Sequence, residues 1–452
     1  MGKQAAPERL FYDFCLEDHV PGDHLLRQIN RFLDFDGLRR DLKPYYSPIG
    51  RPSVDPELML RMLIIGYCFA IRSERRLCEE VHLNLAYRWF CGLGLEGDVP
   101  DHSTFSRNRH GRFRQSNLLR HLFETVVSRC MDEGLVGGEG FAVDASLIQA
   151  DANKQRSLPA DEWSLEDLPD HPGQAVRDYL ATLDNAAFGA ASNKTPKFIS
   201  PSDPAAQWTG ALRGPAFFAY ANNYMIDTDN AIIVDVEASR AIRQAEVGTA
   251  RTMIERTRER FGLMPRRLAA DTAYGTADML AWLVKDKGIA PHIPVFDKSR
   301  RNDGTFSRAD FIWDEKRNIY ICPAGKKLQS SGRLNYDNTY RYLASTYDCK
   351  SCPLKKKCCP NTPQRKIPRH INEDARDVAR ANYGTPAYDQ SRRDRKRVEM
   401  LFAHLKRILK LGRLRLKGPR SAQDEFLLAA TAQNLRKLAK LRPEPPPECL
   451  QS

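Results

Sequence analysis

Ala219-Tyr-Ala-Asn-Asn-Tyr-Met-Ile226, followed by Asp227-Thr-Asp-Asn230 and Ala231-Ile-Ile-Val-Asp-Val236, decides the fold class. The first run alternates, the last is a short apolar run, and the polar four residues between them form a turn, so the stretch predicts a β-hairpin. Downstream, Glu246–Phe261 has the spacing of an amphipathic helix, and Arg267-Leu-Ala-Ala-Asp271 reads as a strand ending in a carboxylate. Thr276–Lys287 follows as a helix and Ala290–Phe296 as a strand. Upstream, Phe141-Ala-Val-Asp144 is a short buried strand that also ends in a carboxylate. Strand, hairpin, helix, strand, helix, strand predicts an α/β domain, a mixed sheet with helices on its faces.

Further out, residues 1–135 read as an all-α N-terminal domain. His24–Phe35, Pro56–Arg72, Glu74–Val81, Leu83–Cys91 and Asn117–Met131 carry helical spacing, with Ser73 and Ser116 as expected N-caps. Pro44 to Pro48, Gly50-Arg-Pro52, Gly92-Leu-Gly94 and Pro100-Asp101 break the helices apart. A plain bundle and a DNA-contacting domain both fit this region, the latter because of the arginines between Arg109 and Arg120. Within the α/β part, residues 136–296, a polar stretch at about 151–215 reads as an insertion, partly disordered. Residues 297–385 read as a loop-rich, Cys-bearing insertion. Residues 386–442 hold a basic helix, the basic run Gly412–Gly418 and a last helix, Gln423–Leu441; residues 443–452 are an unstructured tail.

The 452 residues suffice for two or three domains, and 42% hydrophobic with 28% charged residues fits a globular protein. A net charge of +13 points to a polyanionic partner, most often nucleic acid. From Ser391 to Lys440, 15 Lys and Arg face only Asp394, Glu399, Asp424 and Glu425. The run Met62–Ile71 is too short to cross a bilayer, and the first residues lack the apolar core of a signal peptide. Both features predict no membrane association and a cytoplasmic protein with reduced thiols; its net charge makes it nucleoid-associated in expectation.

The basic helix Arg392–Arg407 has an apolar stripe of Val398, Leu401, Phe402 and Leu405. Its Glu399 shares a side with Arg395 and Lys406. Alone, this is a solvated helix with ion pairs, and an Asp at a strand end is most often a turn or cap. The set is more informative. Asp144, Asp271 and Glu399, brought together, would hold two divalent cations, Mg²⁺ or Mn²⁺, an arrangement suited to in-line displacement at phosphorus. Arg395, Lys396, Lys406, Arg407, Arg413, Arg415 and Lys417 would bind DNA phosphates around them.

Among the 11 cysteines, Cys349, Cys352, Cys358 (or Cys359) and Cys322 make a thiolate set sufficient for a structural Zn²⁺. The alternative is free cysteines in a basic loop. The remaining cysteines read as small buried hydrophobes or surface thiols. His102 reads as a turn residue, His404 as a core or surface residue about 140° around the helix from Glu399, Asp235 as a cap, and Asn223 as a strand residue that could face the metals. No nucleotide-binding loop and no serine-nucleophile elbow occurs, so no nucleotide cofactor is expected.

Several stretches together resemble one family. Val20-Pro-Gly-Asp-His-Leu-Leu-Arg27, Gly50-Arg-Pro52 and Pro100-Asp-His-Ser-Thr-Phe-Ser106 resemble the helical N-terminal domain of bacterial insertion-sequence transposases of the DDE type. Val143-Asp-Ala-Ser-Leu-Ile148 with Asp151-Ala-Asn-Lys154 resembles their first-Asp strand. Ala270-Asp-Thr-Ala-Tyr-Gly275 resembles their second-Asp motif, and Arg395-x3-Glu399-x6-Lys406 their Tyr-x2-Arg-x3-Glu-x6-Lys signature. Arg392 stands where the signature has Tyr; Tyr388 lies one turn earlier. The resemblance implies a ribonuclease-H-like catalytic fold, with Asp144, Asp271 and Glu399 as catalytic metal ligands. It also implies cleavage at terminal inverted repeats, strand transfer into target DNA, double-stranded DNA as partner, and a homodimer in the synaptic complex. A catalytically silent DNA-binding derivative and a nuclease without strand transfer are the rival readings.

Overall fold

The computed structural model describes residues 14–443 except 48, 51–52, 165–167, 169, 186, 189–195, 211–213 and 297–302. The expected tail and part of the expected disordered insertion lie outside the described residues. The chain divides into two compact units, each built from separate segments. The first comprises Met1–Gly137, Ala145–Leu263 and Arg397–Ser452; the second comprises Gly138–Asp144 and Met264–Lys396.

The first unit begins with helices α1 (Leu16–His19), α2 (Leu25–Asn30), α3 (Asp36–Leu42), α4 (Pro56–Cys68), α5 (Glu74–Leu83), α6 (Leu85–Phe90), α7 (Ser103–Asn108) and α8 (Leu118–Asp132). Ser73 caps α5 as expected, its hydroxyl accepting from Arg76 N. Ser116 does not cap α8. Its hydroxyl donates back to the Arg112 carbonyl (2.7 Å), and left-handed Asn117 takes the cap position.

Strand β1 (Gly140–Gln149) then begins in the second unit and continues into the first, so it does not end at Asp144 as expected. The sequence after the carboxylate, Ala145-Ser-Leu-Ile148, remains compatible with a strand, and Ala150 N donates to the Phe218 carbonyl (2.9 Å). The polar insertion folds in part: β2 (Leu158–Pro159), α9 (Gln174–Leu180), β3 (Phe198–Ile199) and β4 (Gln207–Thr209) lie within it. The predicted hairpin is β5 (Phe217–Asp227) and β6 (Ile233–Arg240), antiparallel. The Asp227 side chain accepts from Asp229 N (2.9 Å), an Asx turn, and Asp227 N closes the loop onto the Ile232 carbonyl (2.9 Å). Helix α10 (Arg243–Phe261) follows.

The second unit adds β7 (Arg267–Ala269), α11 (Ala277–Ala281) continued by a π-helical turn (Trp282–Asp286), and β8 (Ala290–His292). Here β7 lies between β1 and β8, both parallel to it. The Cys-bearing segment is not loop-rich. It holds β9 (Ile312–Asp314), β10 (Ile319–Ile321), β11 (Lys327–Leu334), β12 (Thr339–Ala344), helices α12 (Thr346–Lys350) and α13 (Lys355–Cys358), and β13 (Lys366–His370). Its strands form an antiparallel sheet in the order β13-β12-β11-β10-β9, over a core that includes Phe311, Tyr320, Leu328, Tyr342 and Ile367. Helix α14 (Glu373–Asn382) packs on α11 and β8.

Helix α15 (Pro386–Arg407) crosses from the second unit into the first, and α16 (Pro419–Leu441) ends the described chain. In the first unit α16 is buried on most of its surface, packing on α2, α4, α8, α9 and β6. Ala422, Ala429, Ala430 and Ala432 permit that close approach, and Asn434 satisfies the backbone of Ile233 in both directions (3.0 and 2.8 Å).

Gly418 starts α16 with φ +93°, and a Cβ there would sit 2.8 Å from Ala175 Cα. Its N–H donates to Asp203, which is fully buried and also accepts from the Tyr220 hydroxyl (2.5 Å). Burial outweighs these hydrogen bonds and raises the Asp203 pKa to about 6, from 3.8. The folded state therefore holds this proton more tightly. The contribution is fully present below pH 3.8 and is lost as pH rises through about 6. Relative to Asp203→Asn, wild type is expected to gain about 1 kcal/mol of stability on going from pH 7.5 to 5. Urea unfolding of both proteins at the two pH values measures it.

Candidate active site

The β1–β7 register places the first two acids. Gly140, Phe141 and Ala142 pair with Arg267, Leu268 and Ala269. Asp144 and Asp271 each lie two residues beyond the Ala142–Ala269 pair, at the same level of adjacent parallel strands. Side chains two apart on an extended chain share a face, and Asp271 keeps extended backbone (φ −79°, ψ 177°). Both side chains are half-buried. Asp271 also does what a strand-end Asp ordinarily does: one carboxylate oxygen accepts from Ala273 N (2.8 Å) and caps the 3-10 turn Thr272–Tyr274. Capping fixes that carboxylate's orientation.

Gly275 closes this turn. Its carbonyl accepts from Phe296 N (2.8 Å), and a Cβ there would be driven into the Pro294 carbonyl. No flexible side chain could give way, so Gly275→Ala must displace the turn bearing Asp271. The substitution is expected to destabilise the second unit by about 1–3 kcal/mol, the usual cost of overpacking, and urea unfolding checks this.

Helix α15 supplies the third element. Tyr388, Ser391, Asp394, Val398, Phe402 and Leu405 form its buried stripe. Ser391 hydrogen-bonds His292 Nδ1 (2.7 Å), tying the helix to the end of β8. Arg395 then reaches Asp144, Nη1 to Oδ2, at 3.3 Å. The sequence places Arg395 beside Glu399 and assigns it to DNA phosphates, but a separation of 251 positions hides its pairing with Asp144. Glu399 is exposed, one turn further along α15, in the segment belonging to the first unit. Arg392 is exposed and pairs with Asp389 (3.7 Å). Tyr388 is buried against His292 and Tyr383, so its ring is not presented to a ligand in place of the signature tyrosine.

Lys396, Lys406, Arg407, Arg413, Arg415 and Lys417 are all exposed. After α15, buried Leu411 and Leu414 alternate with the exposed cations and pin the run, Leu414 N donating to the Gln149 carbonyl (2.8 Å).

Cys322, Cys349, Cys352, Cys358 and Cys359 line one cavity of about 20 Å³. Cys358 and Cys359 belong to the aromatic core of the small sheet, and burial pushes the Cys358 thiol up to about 11. Among the described residues no three or more His, Cys, Asp or Glu side chains converge in a metal-holding group. The zinc expectation therefore finds no support. The segment's strands provide a core in which Cys358 and Cys359 are buried as small hydrophobes and against which Cys322 and Cys349 pack.

The other candidates have structural duties. His102 is an exposed turn residue beside Asp101, and His404 hydrogen-bonds Gln433 (3.1 Å). Asp235 is buried between Arg120 (2.6 Å) and Arg256 (2.8 Å) rather than serving only as a cap. Asn223 gives its amide to the Glu237 carbonyl and Ser239.

Two aspartates at the level of adjacent parallel strands, with a basic helix against one of them, follow a helical N-terminal region, and comparison with known families identifies two transposase matches. The family described as Transposase domain (DUF772) matches residues 14–111, and the one described as Transposase DDE domain matches residues 321–439. The two matches support an insertion-sequence DDE transposase. The second match includes Arg395, Glu399 and Lys406; Asp144 and Asp271 precede it. Among the described residues no helix is long and apolar enough to cross a membrane.

Proposed function

We propose that this transposase cuts DNA at the element's terminal inverted repeats and joins the freed 3′ ends to target DNA, with Asp144, Asp271 and Glu399 as the catalytic carboxylates of a ribonuclease-H-like domain. The observation that carries the reading is the level placement of Asp144 and Asp271, with the Arg395 guanidinium against Asp144 one helical turn before Glu399.

The donor set suits a hard divalent cation in kind, since carboxylate oxygens prefer Mg²⁺ or Mn²⁺. A positive group already stands at Asp144 Oδ2, where the side chain would otherwise ligate such an ion. Two bound ions would supply activation of a water or 3′-hydroxyl nucleophile and stabilisation of the leaving oxygen. The protein's own residues do the rest. The Ala273 N–H orients Asp271. Arg395 and Lys396 bring positive charge to the DNA phosphates, and Lys406, Arg407, Arg413, Arg415 and Lys417 extend that surface. Arg395 exchanges Asp144 for a phosphate as substrate enters. The N-terminal helices recognise the ends or mediate the pairing of two protomers that synapsis requires, and the protein works at the nucleoid.

The test is incubation of wild type and Mg²⁺ with an end-bearing duplex and a plasmid. Joined products support the reading. Cleavage without joining leaves a nuclease, and metal-independent binding alone leaves a silent DNA-binding protein.

A further inference from the structure

A cavity of about 710 Å³ in the first unit has a second cluster of cations on its wall. Arg72 precedes the Ser73 cap of α5 and Arg76 lies in the first turn of that helix; Lys410, Arg413 and Arg415 come from the segment between α15 and α16. Asp151 is the carboxylate among the described residues lining it, and it pairs with Arg413 (2.8 Å).

Arg72 is the informative residue. Its side chain is only 6% exposed. One guanidinium nitrogen pairs with Glu425, and the group lies over the Tyr67 ring, 4.9 Å from its centre. The other, Nη1, is buried with no hydrogen-bond partner among the described residues. A buried donor left unmet is costly, and this one belongs to a side chain lining a cationic cavity.

The walls are also held in place. Glu425 pairs with Arg72 through one oxygen and accepts the Arg415 and Leu416 N–H groups (2.8 Å each) through the other. One buried acid thus fixes cations from both segments. The N-terminus of α5, capped by Ser73 beside the cavity, adds the partial positive charge of a helix start.

We propose that this cavity is a phosphate-binding pocket that grips the backbone of duplex DNA through Arg72, Arg76, Lys410, Arg413 and Arg415. The identity of the polyanion rests on the transposase reading. Cations spread over two segments around a cavity of this size suit successive backbone phosphates better than one small anion. Such contacts position DNA without reading its sequence.

The test is binding of a fluorescent duplex of arbitrary sequence in EDTA, followed by anisotropy across salt concentrations. The double variant Arg76→Ala/Arg415→Ala changes two exposed side chains, so folding is kept. It is expected to lower the slope of log K against log salt by about 1.8, at 0.9 per lost phosphate contact. Arg76→Lys/Arg415→Lys should restore most of that slope, and Arg317→Ala, outside the cavity, should leave it unchanged. An unchanged slope in the double variant overturns the proposal. So does a result in which inorganic phosphate raises the Tm of wild type but not of the double variant while DNA binding is unaffected, which would mark a small-anion site. Because no cleavage is needed, the two readings fail separately. Slope loss without any Mg²⁺-dependent cleavage sinks the catalytic reading alone; cleavage with an unchanged slope sinks the pocket alone.

Discussion

Asp144→Asn is expected to lower Mg²⁺-dependent cleavage of an end-bearing duplex by about 10³-fold or more. Removing a group that merely orients a metal ligand costs about 10–100-fold, and removing one preorganised electrostatic contact in an active site about 10²–10³-fold. A carboxylate that is itself a ligand should cost at least the upper end of these. The substitution keeps the side chain's size and an oxygen toward Arg395, so thermal unfolding should barely change. Duplex binding in EDTA should persist, because a neutral amide competes for Arg395 less strongly than a carboxylate does. Gel-based cleavage rates with anisotropy on the same preparation separate the two effects. Cleavage within tenfold of wild type would remove Asp144 from the chemistry.

The largest stability effect is expected at Asp235→Ala. Asp235 is 2% exposed and holds Arg120 of α8 and Arg256 of α10 against the hairpin strand β6. Glu237 shares both arginines, at 3.2 and 2.6 Å. Truncating Asp235 leaves two largely covered guanidinium groups sharing Glu237, with the Val236 carbonyl as a further acceptor for Arg120 (2.8 Å). Breaking a buried ion pair from one side costs about 3–5 kcal/mol, and the remaining Glu237 contacts put the expected loss toward the lower figure. Differential scanning calorimetry should show a clear fall in the transition of the first unit. Asp235→Asn, which keeps an acceptor for Arg256, should recover part of it. An unchanged transition would mean that Glu237 alone suffices.

The features legible in the sequence were those with a local cause. The β5–β6 hairpin showed itself because alternation brackets an Asx turn whose Asp227 makes the expected bond. The α15 stripe showed itself because Val398, Phe402 and Leu405 recur at helical spacing. Asp144 and Asp271 were found by position after apolar runs, although β1 runs past its acid and β7 stops short of its own. What stayed hidden depended on distant partners or very short elements. Strands of three residues, Ile312–Asp314 and Ile319–Ile321, give alternation too little length to register, so the Cys-bearing sheet read as loop. The Arg395–Asp144 pair and the Arg72–Glu425 pair join residues 251 and 353 positions apart, and nothing local marks either. The cysteines misled for a related reason: their spacing suits zinc, but the hydrophobic core around them is assembled from five separated strands.

We propose that Glu399 completes one catalytic set with Asp144 and Asp271. Glu399→Gln, assayed for Mg²⁺-dependent cleavage of a duplex carrying the element's end, should lose cleavage to the same degree as Asp144→Asn. Asp144→Asn/Glu399→Gln should be no worse than either single variant, with duplex binding intact in all three. Cleavage by Glu399→Gln at the wild-type rate would contradict it.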